Sequence, residues 1–209
     1  MDIFEKLESN VRSYSRAFPT VFSKAKGPFL YDEDGKEYID FFAGAGTMNY
    51  GHNNPTINRA ILSYVQQSGV MHSLDKFTVP RRELLEKLDS IIFAPRKLCY
   101  KVQFCGPTGT NGTEAALKLA KKAKKRKGVI AFTNAYHGLT AGALAATGNL
   151  HYKDQLFTES MDVTFMPYDG YLGKDIDTTQ VLRKYITDRS SGVAIPAAII
   201  LESRFRIYN

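Results

Sequence analysis

The fold is decided by residues 101–132, KVQFCGPTGTNGTEAALKLAKKAKKRKGVIAF, where short apolar runs flank one long helical segment. Lys101–Phe104 and Val129–Phe132 have the composition of strands, and the segment from Asn111 to about Arg126 has that of a helix. This alternation is typical of a β-α-β unit. We expect its two strands to lie parallel in one sheet, because such connections return the chain in the same direction.

The same alternation continues downstream of residue 132. We expect a helix of small residues over about Leu139–Ala146, a strand at Asp162–Met166, a helix at Thr178–Asp188 and a strand at Ala197–Leu201. The sequence therefore predicts an α/β protein with a mainly parallel sheet. Only eight residues follow Leu201, so we expect an incomplete sheet and a chain that is the front portion of a longer protein.

Upstream of this region the pattern favours a hairpin followed by helices. Phe29–Phe42 contains two aromatic and β-branched runs around Asp34-Gly35, a dipeptide that accepts the backbone of a tight turn. Asn54 precedes Pro55 and predicts a capped helix start, and a second helix is expected from near Pro80.

Composition and charge disfavour several classes of protein. The 209 residues carry 28 Lys+Arg against 21 Asp+Glu, but seven basic residues of the excess lie between Lys118 and Lys127. We interpret this block as a solvated helix end and not as a nucleic-acid surface, since basic residues favourably face the negative end of a helix dipole. No apolar run is long enough to span a membrane and no secretory signal is visible, so a cytoplasmic protein is expected.

Metal or redox chemistry has little support. Cys99 and Cys105, with five residues between them, match neither a zinc pair nor a redox pair, and the four histidines are scattered.

Two motifs follow successive predicted strands. Gly106–Glu114 joins a strand to a helix, and such a turn points backbone N–H groups at a ligand over the helix start, commonly a phosphate. On composition alone, a plain capped turn explains this segment equally well. Tyr136-His137-Gly138 lies beyond the next strand, where ligands of open α/β sheets gather. Together the motifs favour a flat aromatic cofactor that carries a phosphate.

The sequence resembles the class III pyridoxal-phosphate aminotransferases, a family of the fold-type-I group. The resemblance extends from about residue 10 to Glu202, and its strings GPTGTN and NYGHNNP are specific. It is carried by these stretches: Val11–Tyr14, Tyr31–Gly35, Tyr38–Gly46, Asn49–Pro55, His72–Asp75, Tyr100–Phe104, Gly106–Asn111, Glu114–Ala120, Ala131–Gly138, Ala145–Asn149 and Ser191–Val193.

The resemblance implies a set of site residues. The cofactor phosphate would lie at Gly109 and Thr110 with Asn111 nearby, the cofactor ring would stack on Tyr136, and Glu202 would lie near the active site. Gly44, Ala45 and Gly46 match the family's substrate-facing segment. The family transfers amino groups between amino acids and 2-oxo acids, usually as a homodimer, with pyridoxal phosphate as electron sink.

The resemblance also implies a domain division and a departure. We expect an N-terminal segment over residues 1–60, an incomplete large cofactor-binding domain over 61–202 and an aberrant tail over 203–209. In the family, an Asp that pairs with the pyridinium, the Schiff-base Lys and a carboxylate-binding Arg follow the position of Glu202. No lysine in residues 1–209 matches that Lys, and we hypothesise a gene read out of frame from about Ser203.

Within the family, His72–Asp75 and Gly106–Asn111 favour the type that exchanges the amino group of L-2,4-diaminobutyrate with 2-oxoglutarate in ectoine biosynthesis. The 4-aminobutyrate and acetylornithine types are the alternatives. A non-catalytic remnant of such an enzyme is a third possibility, and a nucleic-acid binder built on Lys118–Lys127 is a fourth.

Overall fold

The computed structural model describes residues 3–9, 18, 20–153 and 161–203. The chain divides into two compact units, Met1–Cys99 and Tyr100–Asn209. The domain boundary expected at residue 60 stays a prediction. The Val11–Tyr14 motif and all of the expected tail except Ser203 lie outside the described residues.

The first unit contains an antiparallel sheet of three strands, β1 (Phe22–Lys26), β2 (Phe29–Asp32) and β3 (Glu37–Ile39), in that spatial order. The predicted hairpin joins β2 to β3, and Gly35 at its turn has φ of +81°, which glycine adopts without steric cost. Asp32 holds this turn, because its Oδ1 accepts hydrogen bonds from the N–H groups of Asp34 (3.1 Å) and Lys36 (2.8 Å). β1 was not predicted from the sequence.

The described residues of the first unit also form three α-helices: α1 (Ile3–Leu7), α2 (Pro55–Gln66) and α3 (Val79–Leu88). The predicted start of α2 is confirmed, since Asn54 Oδ1 accepts from the N–H of Thr56 at 3.0 Å and from that of Ile57 at 3.4 Å. These bonds satisfy two of the backbone donors that a helix start leaves without an acceptor.

The second unit alternates helices and strands: α4 (Gly109–Lys124), β4 (Val129–Phe132), α5 (Ala141–Ala146), β5 (Val163–Met166), α6 (Thr178–Thr187) and β6 (Ala198–Ile199). The strands form a parallel sheet in the order β5-β4-β6, which confirms the predicted α/β class. All four residues of β4 are buried, as expected for the central strand of a parallel sheet. Helix α6 covers Ile130, Phe132 and Met166 with Leu182 and Ile186.

One predicted strand is absent. Lys101–Phe104 has no regular secondary structure and its side chains are exposed, although its composition matches that of a strand. Within the described residues no strand pairs with this segment, and an apolar run becomes a strand only when a neighbour accepts its backbone hydrogen bonds. The Lys118–Lys127 block does lie at a helix end, because Lys121, Lys122 and Lys124 occupy the last turn of α4. No helix in the described parts of the chain is long and apolar enough to cross a bilayer.

Candidate phosphate-cofactor site

The turn before α4 is built as a helix cap. Thr108 is the N-cap residue, and its Oγ1 accepts from the N–H of Asn111 at 3.3 Å. The side-chain amide of Asn111 lies against the α-carbon of Gly106, where an added Cβ would be 3.4 Å from Asn111 Cγ and even nearer to its Nδ2. Asn111 therefore shapes the turn from inside, and any side chain at Gly106 would displace it.

The start of α4 fits an anion in two respects. The first N–H groups of an α-helix have no acceptor within the helix, and the first turn of α4 contains no acidic residue that would repel a phosphate. An added Cβ at Gly109 or at Gly112 would meet no atom within 4 Å, so open space lies beside both glycines. The sequence-predicted residues Gly109, Thr110 and Asn111 thus lie together at the helix start.

The loop that follows β4 packs directly on this helix start. Gly138 has φ of +124°, and an added Cβ there would lie 2.6 Å from Thr110 Cβ and 3.2 Å from Ala143 Cβ. Both separations are shorter than van der Waals contact, so only a glycine lets the loop approach Thr110 this closely. The structure thereby brings together the two motifs that the sequence placed after successive strands.

A carboxylate ties α4 to α5. Glu114 Oε1 accepts hydrogen bonds from the N–H of Gly142 (2.8 Å), from the N–H of Ala143 (3.0 Å) and from Thr140 Oγ1 (2.5 Å). Thr140 Oγ1 in turn lies 2.9 Å from Thr110 Oγ1. Burial raises the pKa of the Glu114 carboxyl, but the hydrogen bonds from Thr140 and α5 outweigh burial and hold its pKa below the ordinary value. The group is therefore a carboxylate at neutral pH.

A buried threonine fixes the loop from the other side. Thr147 Oγ1 accepts from the N–H of His137 at 3.0 Å and lies within donating distance of the carbonyl oxygens of Gly138 and Ala143. His137 Nε2 is buried and has no partner within the described residues, and burial lowers the pKa of this imidazole. His137 is consequently a neutral ring that packs in the loop.

Tyr136, the predicted stacking residue, is partly buried in the loop after β4. Its ring meets that of Tyr152 edge to face, with 5.3 Å between the ring centroids. This contact restricts the orientation of the Tyr136 ring, because edge-to-face pairs have a preferred geometry.

Glu202 lies just beyond β6, at the carboxyl end of the sheet, as does the loop after β4. Its carbonyl oxygen accepts from Tyr168 Oη at 2.9 Å, and the N–H of Tyr168 donates to Thr133 Oγ1 at 3.0 Å. Residues that follow β4, β5 and β6 are therefore joined by hydrogen bonds at the carboxyl edge, where open α/β sheets bind ligands.

Gly44, Ala45 and Gly46 lie in the first unit, in a short 3₁₀ turn over Ala43–Gly46. All four residues of this turn have positive φ, between +48° at Ala43 and +91° at Gly46. The two alanines are strained, since the left-handed region costs an L-residue with a Cβ roughly 1–2 kcal/mol.

Asp40 and His52 support the strained turn. Asp40 Oδ1 accepts from the N–H of Phe42 (3.0 Å) and of Ala43 (2.9 Å), while its Oδ2 lies 2.6 Å from His52 Nε2. The hydrogen bond from His52 and those from the backbone lower the pKa of Asp40. A carboxylate thus anchors the start of the segment for which the resemblance implies a substrate-facing position.

Sequence reasoning missed Glu114 and Thr140. Their hydrogen bond joins residues 26 positions apart, so no local pattern marks it. Within the described residues no group of three or more His, Cys, Asp or Glu side chains could hold a metal ion.

Curated relatives match nearly the whole chain. The diaminobutyrate–2-oxoglutarate transaminase of Wolinella succinogenes is 57% identical over 203 residues, which cover 97% of this chain and 48% of the relative. The proteins of the same name from Vibrio parahaemolyticus and Halomonas elongata are 53% and 50% identical, with 97% and 96% of this chain and 48% of each relative covered. The chain spans about half the length of the curated relatives it matches.

Solved structures share the fold at low sequence identity. The taurine:2-oxoglutarate aminotransferase of Bifidobacterium kashiwanohense, in complex with PLP and glutamate, superposes with a TM-score of 0.75 at 22% identity. That match covers 97% of this chain and 47% of the other. The ornithine aminotransferase of Toxoplasma gondii gives 0.70 at 21% identity, over 95% of this chain and 43% of the other. The predicted fold-type-I architecture is confirmed.

The family match covers the residues of the candidate site. Residues 11–204 match the family described as aminotransferase class-III, a range that contains the turn before α4, the loop after β4 and Glu202. More than nine-tenths of the chain therefore agrees with one family. The chain belongs to the class-III aminotransferases.

Proposed function

We propose that this chain forms the cofactor-phosphate portion of a pyridoxal-phosphate aminotransferase. Gly109, Thr110 and Asn111 would hold the phosphate, Tyr136 would stack on the ring, and Glu202 would lie near the cofactor. The observation that carries this proposal is the contact between Thr110 and Gly138, because it joins an anion-binding helix start to the loop that presents the aromatic ring. When bound, pyridoxal phosphate supplies the electron sink for amino transfer.

The residues of this chain would bind and orient the group. N–H groups at the start of α4 and the Thr110 hydroxyl are donors suited to a phosphate dianion. The edge-to-face contact with Tyr152 and the hydrogen bond that Thr147 accepts from the N–H of His137 hold the loop that carries Tyr136. Its ring therefore needs little reordering. Gly44, Ala45 and Gly46 would face the substrate.

The proposed substrates are L-2,4-diaminobutyrate with 2-oxoglutarate, or aspartate semialdehyde with glutamate in the reverse direction, in ectoine biosynthesis. The names of relatives at 50–57% identity support diaminobutyrate and 2-oxoglutarate as the substrates. We further propose a cytoplasmic homodimer, as expected for the family. The 4-aminobutyrate and acetylornithine types remain the competing donors to be tested.

Cofactor binding tests the site without requiring turnover. Binding of pyridoxamine 5′-phosphate, followed by its fluorescence, should be specific for the phosphate, with pyridoxamine itself binding far more weakly. Thr110→Val should weaken binding by roughly fivefold or more, because it removes a donor to a charged group. Thr113→Val is the matched control, since that hydroxyl is bonded to the Gly109 carbonyl at 3.4 Å one turn further along. Equal binding of both ligands would refute the site.

Substrate choice is tested on the whole protein that contains residues 1–209. Glutamate formation from 2-oxoglutarate should be fastest with L-2,4-diaminobutyrate as donor. Faster turnover with 4-aminobutyrate or acetylornithine would replace the proposed donor while leaving the family unchanged.

A further inference from the structure

Three side chains beside the proposed phosphate position form a chain of hydrogen bonds whose direction can be worked out. Thr110 Oγ1 lies 2.9 Å from Thr140 Oγ1, and Thr140 Oγ1 lies 2.5 Å from Glu114 Oε1. Distances alone do not say which threonine donates to the other. The ionisation of Glu114 decides it.

Each hydroxyl has one proton, and an ionised carboxylate can only accept. Glu114 is a carboxylate at neutral pH, so the proton of Thr140 points to Glu114. Thr140 then has only lone pairs left for Thr110. The proton of Thr110 is therefore directed to Thr140 and away from any ligand above the helix start.

We propose that Thr140 is a positioning residue. Together with Glu114 it holds the Thr110 hydroxyl in a hydrogen bond donated to Thr140, and so limits how tightly the site holds a phosphate. The proposal rests on the proposed function for the identity of the ligand. A phosphate that accepts a hydrogen bond from Thr110 must break the Thr110–Thr140 bond. The free energy lost with that bond offsets part of the free energy gained with the new one. The arrangement also couples phosphate binding to α5, because the Glu114 oxygen that accepts from Thr140 accepts from the first N–H groups of that helix.

A purely structural role for Thr140 leads to the opposite expectation. If Thr140 only ordered the start of α5, its loss would loosen the site and weaken phosphate binding. If Thr140 accepts the hydrogen bond of the Thr110 hydroxyl, its loss leaves that hydroxyl available to donate to the phosphate and strengthens binding. A neutral hydrogen bond contributes about 0.5–1.5 kcal/mol, which corresponds to about two- to twelvefold in affinity.

Binding of pyridoxamine 5′-phosphate to the full 209-residue chain separates the two roles. Thr140→Val should tighten binding about two- to twelvefold, whereas Thr140→Ser, which retains the hydroxyl, should bind as the unchanged chain does. In a Thr110→Val background, Thr140→Val should have no effect, since no proton remains to be released. Unchanged or weaker binding by Thr140→Val overturns the proposal.

A second measurement needs no ligand. The ¹³C resonance of the Glu114 carboxyl, followed against pH, should give a higher pKa in Thr140→Val than in the unchanged chain, because a donor to the carboxylate is lost. Thr140→Ser should restore the low value. An identical Glu114 pKa in all three proteins overturns the proposed role of Thr140. Failure of the unchanged chain to bind pyridoxamine 5′-phosphate refutes the proposed cofactor site instead, whereas the titration tests the bond between Thr140 and Glu114 without a ligand.

Discussion

Replacing Gly138 by alanine tests the closest approach between the loop after β4 and the start of α4. Two costs add at this position. A Cβ at φ of +124° places a residue with a side chain in a backbone region that costs about 1–3 kcal/mol. The same Cβ would overlap Thr110 and Ala143, and overpacking of that kind costs a further ~1–3 kcal/mol. We expect Gly138→Ala to lower the free energy of unfolding by about 2–6 kcal/mol.

The second unit offers a matched control. Gly173 has φ of +117°, but an added Cβ there would meet no atom within 4 Å, so Gly173→Ala carries the backbone cost alone. Urea unfolding followed by far-ultraviolet circular dichroism would measure both variants, and their difference isolates the overlap, at about 1–3 kcal/mol. The reasoning is refuted if Gly138→Ala is no more destabilising than Gly173→Ala.

Three further predictions concern other parts of the chain. Gly112→Ala should raise the free energy of unfolding by about 0.5–1 kcal/mol in the same urea assay, because Gly112 lies inside α4 with open space beside its α-carbon. An unchanged or lower free energy of unfolding would contradict this prediction. The pKa of Asp40 lies below its ordinary value, so the stability it contributes is present above about pH 3.8 and is lost as the pH falls through the lowered value. His52→Ala should raise that pKa and flatten the loss of stability in acid, and an unchanged acid profile would show that the pair contributes nothing. Residues 1–209 alone should produce no glutamate from diaminobutyrate and 2-oxoglutarate, because the resemblance implies that the family's Schiff-base lysine follows the position of Glu202. Steady turnover would contradict that.

The parts of the fold that could be predicted are those that a pattern of neighbouring residues in the sequence specifies. β4 was predicted with its observed bounds, because four apolar residues follow the basic end of a helix and precede a turn. Asn54 and Pro55 likewise specify a helix start by contacts within three residues. Lys101–Phe104 has the same kind of composition as β4 but pairs with no strand in the described parts of the chain, and strand formation depends on a neighbour that composition does not reveal.

The candidate site divides in the same way. The glycine-rich turn and the Tyr136–Gly138 motif are local patterns. The turn begins α4 and the motif follows β4, although the strand predicted before the turn did not form in the described residues. The bond between Thr140 and Glu114 is not local, because it depends on how α5 packs beside α4. The strained turn over Ala43–Gly46 could not be predicted either. Two of its four positive-φ residues are alanines, and alanine ordinarily has a negative φ.

The order β5-β4-β6 has a consequence for synthesis on the ribosome. β4 is the first of the three strands to be made, yet it occupies the centre, and its Val129 pairs with Ala198 of β6. At ~5–20 residues per second, the intervening roughly 70 residues take about 4–14 s to translate. For those seconds one edge of an apolar strand lacks its neighbour and is open to pairing with another nascent chain. Translation speed between β4 and β6 therefore sets how long each new molecule is vulnerable to aggregation.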